Sequence, residues 1–373
     1  MKVFVIAGEP SGDRLGAGLM AGLRAQVPHV VFGGIGGPHM QGHGLNSLFA
    51  MDELSLMGIA EILPKYRHLK RRIRQTAAAV IAARPDVLIT VDSPDFCLRV
   101  ARLVKAASTT RTVHYVAPTV WAWRAGRAAK MAQHIDHVLA LFPFEPPLME
   151  AAGMACDFVG HPAAVEPPVT VSEMDELGLG GPVIAVLPGS RLSEVERLSH
   201  TFVAAVQASR LPHKVVIPTL PHLAPRVAEL FAQLSPMVIG AQHDHPVQAA
   251  RTRFAAMARA DVALAASGTV SLELAAARTP MVIAYDMNWL SRQIISRMLL
   301  TDTVTLVNLV SETRVVPEFL GAACVPAAIG RALSDVAQTP AAQLAALDIT
   351  MNRLGHGDDA PGLRAARAVL ARL

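Results

Sequence analysis

The chain opens on an apolar run, Lys2 to Ala7 (KVFVIA), that ends in a glycine turn, Gly8-Glu9-Pro10-Ser11-Gly12-Asp13. Beyond it Leu15, Leu19, Met20 and Leu23 recur at helical spacing, so the unit reads as strand, loop, helix. The unit returns at VVFGGIGG (30–37), DVLITVD (86–92), TVHYVAP (112–118) and HVLALFPF (137–144). Continuous β-branched runs alternating with helices predict a parallel sheet covered on both faces. A proline- and glycine-rich stretch, 161–182, breaks the rhythm and reads as a linker. The series then restarts with PVIAVLPGSR (182–191), KVVIP (214–218), MVIGA (237–241), ADVALAASGT (260–269), PMVIAYD (280–286) and TVTLVNLV (303–310). The pattern predicts an α/β protein of two doubly wound, Rossmann-like domains, 1–165 and 166–345. A helical tail, 346–373, is expected to pack back on the first domain or on a partner chain. Ligands of open parallel sheets sit beyond the carboxyl ends of the strands, so the expected site is a cleft where the domains face each other.

Composition narrows the function classes. With 373 residues and 52% hydrophobic content the chain can bury more than one core. The charge balance is 34 basic against 30 acidic residues, a net +4, and only three Trp and three Tyr are present, which argues against a nucleic-acid partner despite a pI near 9.2. Mean hydropathy is high at +0.36, so a membrane span has to be tested directly. The longest stretch free of Asp, Glu, Lys and Arg, Ala25 to Met51, holds three His, two Pro and six Gly and cannot form an apolar helix of about 20 residues. Val3 to Ala7 meets Glu9 too soon for a signal-peptide core, which predicts a cytoplasmic protein. Cys97, Cys156 and Cys324 are odd in number and far apart, and read as buried thiols rather than disulfides or a zinc site.

Two loops of the second domain have the form of anion sites. Leu187-Pro188-Gly189-Ser190-Arg191 follows a strand and opens a helix, so backbone N–H groups, the Ser190 hydroxyl and the Arg191 guanidinium can converge on a phosphate. Ser267-Gly268-Thr269 repeats the arrangement, with Glu273 about a turn into its helix as a carboxylate for ribose hydroxyls. Either loop alone is ordinary connection chemistry; together they point to a nucleotide. Gly34-Ile35-Gly36-Gly37 only approaches a dinucleotide fingerprint, because His39 stands at its third glycine position, and GxxxxGK[ST] is absent. His134, His137 and the triplet His243-Asp244-His245 lack a placed third ligand and read as solvated histidines, so no metal is expected. In the first domain Asp92 stands at the end of a strand, where its carboxylate would enter the cleft, with Glu9, Ser11, Gly12 and Asp13 on the same rim. Capping of the first helix is the plainer reading for Asp13, and capping of the helix near Pro94 for Asp95. His114, mid-strand, reads as a core histidine. Ile59, Ile62, Leu63, Tyr66 and Leu69 fall on one helical face beside Lys65, Arg67, Lys70, Arg71, Arg72 and Arg74. This amphipathic stretch fits either an anionic membrane contact or a surface helix packed on its sheet. Trp289, Leu290, Ile294, Ile295, Met298 and Leu299 pose the same choice.

A series of motifs then adds to these readings: GEPSGD (8–13), MGIAEIL (57–63), VDSPDF (91–96), HYVAPTVWAWR (114–124), LFPFE (141–145), FVGHP (158–162), LPGSRLSEVE (187–196), ASGTVSLE (266–273) and NLV (308–310). In order and spacing the series resembles the lipid-A-disaccharide synthase family from the first strand to about residue 320. The resemblance implies a GT-B glycosyltransferase of Gram-negative outer-membrane biogenesis, peripheral on the inner face of the inner membrane. Its reaction joins UDP-2,3-diacylglucosamine to 2,3-diacylglucosamine 1-phosphate through a β-1,6 bond with inversion. It implies Asp92 as the base, Gly189, Ser190, Arg191, Ser267, Gly268, Thr269 and Asn308 as contacts to the diphosphate or sugar, Glu273 as the ribose carboxylate, and the Ile59 to Leu69 face as an acyl or membrane patch. Tyr66 and Lys70 depart from the aliphatics common there. No cofactor is implied, since no Asp-x-Asp pair is present, and a homodimer with exchanged C-terminal segments is admitted. A UDP-sugar 2-epimerase-like enzyme and a non-catalytic nucleotide-binding protein at the membrane surface are the alternatives.

Overall fold

The computed structural model describes residues 1–54, 59–121, 126–240, 246–286 and 301–373, with the side chains at 59–66 and 246 outside that description. Two compact units divide the chain: Met1–Val165 with Gly357–Leu373, and Glu166–His356.

In the first unit six parallel strands, β1 (Lys2–Ala7), β2 (Val31–Ile35), β3 (Val87–Val91), β4 (Arg111–Tyr115), β5 (His137–Ala140) and β6 (Ala155–Phe158), lie in the order β2-β1-β3-β4-β5-β6. In the second, β7 (Val183–Leu187), β8 (Lys214–Pro218), β9 (Met237–Ile239), β10 (Val262–Ala265), β11 (Met281–Tyr285) and β12 (Glu318–Leu320) lie in the order β12-β11-β10-β7-β8-β9. The central strands β3 (VLITV) and β7 (VIAVL) are buried at every position, because helices cover both faces of each sheet. The second core gathers Val186, Phe202, Ile217, Phe231, Leu264 and Leu333; the first gathers Ile6, Val80, Leu88 and Val100 on one side.

Each order reverses once. From β1 the chain moves out to β2 and then returns to add β3 on the other side; from β7 it moves through β8 and β9 and returns to add β10. These switch points lie between β1 and β3, in register Ala7 with Val91, and between β7 and β10, in register Leu187 with Ala265. Loops that leave neighbouring strands in opposite directions open a crevice there, where open α/β sheets take their ligands.

Several expectations are corrected. Residues 303–310 are not a strand. Leu306–Ser311 is helical with Leu306, Val307 and Val310 buried on one side, and the preceding segment is held by Glu318, whose carboxylate accepts the Thr305 N–H at 2.6 Å. The last strand of that sheet is the short β12, and β6 was not singled out in the sequence. The stretch 161–182 is not a loose linker either. Thr170 and Glu173 form a capping box on the helix Val171–Asp175, and Arg251 clamps it by donating to Glu173 Oε1 (2.6 Å) and to the Pro167 carbonyl (2.6 Å). Cys324 is only half-buried, whereas Cys97 and Cys156 are buried. His137 is not solvated but fully buried on β5, with Nε2 2.8 Å from Asp157.

The helix Pro361–Leu370 returns to the first unit and lies on the helix Pro10–Gln26 through glycine. A Cβ on Gly362 would stand 2.3 Å from the Gly18 carbonyl oxygen, and one on Gly22 would stand 2.5 Å from the Gly362 oxygen. Beyond the helix Arg372 bonds Asp157 at 2.6 Å, fixing the tail to β6. Residues 346–356 stay in the second unit, largely in the helix Ala341–Arg353.

Candidate active site

The first switch point is built around Asp92. It follows β3 with φ 51°, and Ser93, the N-cap of the helix Pro94–Ala107, has φ 44°. Two consecutive non-glycine residues in the left-handed region store backbone strain, a feature that concentrates at functional sites. The Asp92 N–H donates to the Tyr115 carbonyl (3.0 Å), which fixes the turn to β4. Ser93 Oγ is buried without a hydrogen-bond partner among the described residues. Burial raises the half-buried Asp92 carboxyl above its ordinary value, with the Ser93 N–H opposing the shift. A carboxylate so placed is a stronger base than a solvated one.

The loop after β1 is pressed against this turn by two glycines. A Cβ on Gly8 would meet Ser93 Oγ at 2.6 Å, and one on Gly12 would meet the Val91 carbonyl oxygen at 3.3 Å. Glu9, half-buried, is the N-cap of the helix Pro10–Gln26, and Ser11 is exposed in its first turn. Burial pushes the Cys97 thiol above its usual range, and the charges of Asp92 and Glu9 push it further. Asp13 does not belong to this rim. It is buried, and its carboxylate accepts the N–H groups of Gly37 (2.8 Å), His39 (2.9 Å) and Met40 (3.0 Å), capping the neighbouring helix Pro38–Gly42 rather than its own. Asp95 is exposed in the first turn of its helix with no capping bond, and His114 is buried, bonded to Thr90 Oγ1 (2.7 Å) and lowered to about 4 by burial.

The second switch point carries the two glycine loops. Gly189 has φ 121° and Gly268 φ 155°, backbone that an L side chain rarely adopts. The Ala266 N–H donates to the Leu187 carbonyl (2.8 Å), so the loops leave adjacent strands from the same level. Arg191 is the exposed N-cap of the helix Leu192–Ser209; Thr269 is the N-cap of Val270–Ala276, with Glu273 exposed in its first turn. The structure thus brings Gly189, Ser190 and Arg191 beside Ser267, Gly268 and Thr269. Asn308 is not exposed to a ligand. It is buried, its Nδ2 donates to the Val316 carbonyl (2.9 Å) and Thr303 Oγ1 (3.3 Å), and its Oδ1 accepts the Val316 N–H (3.0 Å), so it ties two backbone segments together.

Sequence reasoning passed over two carboxylates. Glu194 folds back onto the Gly189 loop, and Glu145 lies buried among aromatic rings, accepting the Leu141 (3.1 Å) and Phe142 (3.0 Å) N–H groups and pushed up to about 8 by burial. Both stand inside the motifs LFPFE (141–145) and LPGSRLSEVE (187–196), whose spacing does not mark them out.

Among the described residues no group of three His, Cys, Asp or Glu could hold a metal, and no helix is long and apolar enough to cross a membrane. The side chains of Ile59, Ile62, Leu63 and Tyr66 lie outside the described residues, as do His243 to His245 and Trp289 to Leu299. Leu69 is not part of an outward apolar patch, because it packs partly buried against the first core. Of the basic residues beside it, Arg72 is drawn in by Glu53, donating to both carboxylate oxygens (2.8 and 2.7 Å), while Arg67, Lys70, Arg71 and Arg74 line an open concavity.

Known proteins decide the family. A family model described as lipid-A-disaccharide synthetase matches residues 3–348. The chain belongs to the lipid-A-disaccharide synthetase family. Relatives named lipid-A-disaccharide synthase include one from Ruegeria pomeroyi, 62% identical over 100% of this chain and 96% of that protein, and one from Rhodospirillum centenum, 44% identical over 99% and 94%. The fold is that of GT-B proteins. A putative UDP-N-acetylglucosamine 2-epimerase from Listeria monocytogenes superposes with a TM-score of 0.63 at 14% identity, covering 100% of this chain and 95% of that one. The glycotransferase of kitacinnamycin gives 0.60 at 17% identity, covering 100% and 99%. Members of the lipid-A-disaccharide synthetase family are glycosyltransferases, which take a nucleotide sugar and an acceptor. A carboxylate at one switch point and anion-type loops at the other suit that division of labour.

Proposed function

We propose that the chain transfers 2,3-diacylglucosamine from UDP-2,3-diacylglucosamine to the 6-hydroxyl of 2,3-diacylglucosamine 1-phosphate, giving the β-1,6 disaccharide 1-phosphate and UDP. The observation that carries this reading is Asp92 in its left-handed turn, a carboxylate raised by burial at the carboxyl end of β3. It takes the proton from the acceptor hydroxyl as the oxygen attacks the anomeric carbon from the face opposite UDP, which inverts that carbon. A positioned base supplies about 10²–10⁴ in rate. Glu9, Ser11 and Gly12 shape the acceptor side, since the glycine contacts hold them against the Asp92 turn.

As the glycosidic bond opens, charge collects on the departing diphosphate. The Ser190 hydroxyl, the Arg191 guanidinium and the Ser267-Gly268-Thr269 loop stabilise it, and Glu273 receives the ribose hydroxyls. These cationic and N–H donors do the work that a divalent ion does in other transferases, so the reaction runs without a resident metal in this reading. Asn308 and Asp13 take no part, their side chains being committed to backbone groups. Arg67, Lys70, Arg71 and Arg74 support a peripheral seat on an anionic membrane face, on the cytoplasmic side. The direct test mixes purified protein with the two acylated sugars. Release of UDP that requires both is the expected result; conversion of UDP-N-acetylglucosamine without acceptor would replace this reading by an epimerase.

A further inference from the structure

We infer that Glu194 is the positioning residue of the diphosphate loop. Its carboxylate, folded back from the first turn of the helix Leu192–Ser209, anchors the Ser190 peptide through its N–H and holds the Arg191 guanidinium in the orientation that binds UDP. The inference rests on the proposed role of that loop and names what organises it.

Four observations converge on the side chain. Glu194 Oε2 accepts the Ser190 N–H at 3.3 Å, and Oε1 accepts Arg191 Nη1 at 3.0 Å. From β11 the Tyr285 hydroxyl donates to the same Oε1 at 3.4 Å, so the carboxylate is gripped from a second element of the sheet. Gly189 leaves room for it: with φ 121°, a Cβ there would stand 2.7 Å from Glu194 Oε2 and 2.8 Å from Glu194 Cβ. By contrast, nothing lies within 4 Å of the space a Cβ on Gly268 would fill. Gly189 is therefore glycine to admit a protein carboxylate, and Gly268 is glycine in a loop whose concavity is open.

The burial is unequal. The Glu194 side chain is 14% exposed and its partner Arg191 57%. With Arg191 mostly exposed, its ion pair contributes little to stability, so the arrangement is poorly explained as a strut. What it does supply is direction. A guanidinium on a free stem samples many rotamers, and one tether to a fixed acceptor aims its planar fork before the ligand arrives, which lowers the entropy lost on binding. Oε2 takes up the Ser190 N–H itself, which fixes the peptide plane from which the Ser190 side chain projects.

The test is calorimetric titration of UDP into the intact protein and into the E194A, E194Q, R191A and R191A/E194A variants, with thermal unfolding of each. E194A is expected to weaken UDP binding about tenfold, and E194Q by less, because its amide oxygen retains one acceptor. The double variant should lose less than the sum of the single losses, since Glu194 acts partly through Arg191. In turnover the loss should fall on KM for the nucleotide sugar more than on kcat. Unchanged or tighter UDP binding by E194A, beside weakened binding by R191A, would reduce Glu194 to a helix-end residue or a competitor of the ligand and overturn the inference. If R191A itself binds UDP as the parent does, the loop is not the diphosphate site and the functional reading of it fails first. Should E194A not fold, E194Q and E194D carry the same comparison.

Discussion

The two switch points share one geometry and differ in almost everything else. At β1 and β3 the loops carry carboxylates, and the strained positions, Asp92 and Ser93, are not glycines. At β7 and β10 the positive-φ positions are Gly189 and Gly268, and the loop charge is Arg191. The difference teaches what each crevice is for. Strain at a side-chain-bearing residue persists where the surrounding structure fixes it, and it clusters at functional sites, which suits a base that must meet one hydroxyl. Strain resolved by glycine brings bare backbone to the surface, which suits a ligand bound through N–H groups.

The sharpest way to break this comparison is Asp92→Asn. Turnover should fall by about 10²-fold or more while UDP binding holds; a steady-state assay beside a UDP titration checks both, and equal loss in the two would erase the division between crevices. The same carboxyl predicts a pH dependence. The base works only when ionised, and because burial has raised it, activity should fall on acidification at a pH above the ordinary carboxylate range; the pH profile of kcat/KM reads this limb directly. Gly189→Ala comes next. It forces a side chain onto φ 121° and into Glu194, and should weaken UDP about tenfold with kcat nearly kept, read as KM against kcat. The smallest effect is expected at Ser93→Gly, which relieves the left-handed turn and should stabilise the protein by about 1 kcal/mol in urea unfolding while loosening Asp92 and lowering kcat. A variant that gains no stability would show that the turn is unstrained.

Much of this was legible in the chain. Apolar runs marked ten of the twelve strands among the described residues, and the glycines and prolines after several of them placed Asp92, Gly189 and Gly268 at strand ends, because a backbone that must turn sharply after a buried strand advertises itself in those residues. The errors have a common cause. Residues 303–310 are β-branched enough to read as a strand, yet Leu306, Val307 and Val310 repeat at helical spacing and the helix buries them. Asn308 and Asp13 sit in motifs as a ligand contact would, but each is spent on distant backbone, at Val316 and at Gly37 to Met40. Glu194 was invisible for the converse reason. An acidic residue in the first turn of a helix looks like routine helix-end chemistry, and only in the fold does it turn back onto Gly189.

Where the carboxyl-terminal helix returns to the first unit, the absent side chains of Gly22 and Gly362 let two helices meet backbone to backbone. The helix beneath begins at Pro10, just after Glu9 and the loop that packs on the Asp92 turn, so the carboxyl-terminal helix works as a splint whose thickness is set to the width of a peptide unit. A single added methyl at Gly362 would wedge the splint away from the bone it supports, and the tilt would reach the acceptor loop through a rigid rod rather than through any shared contact.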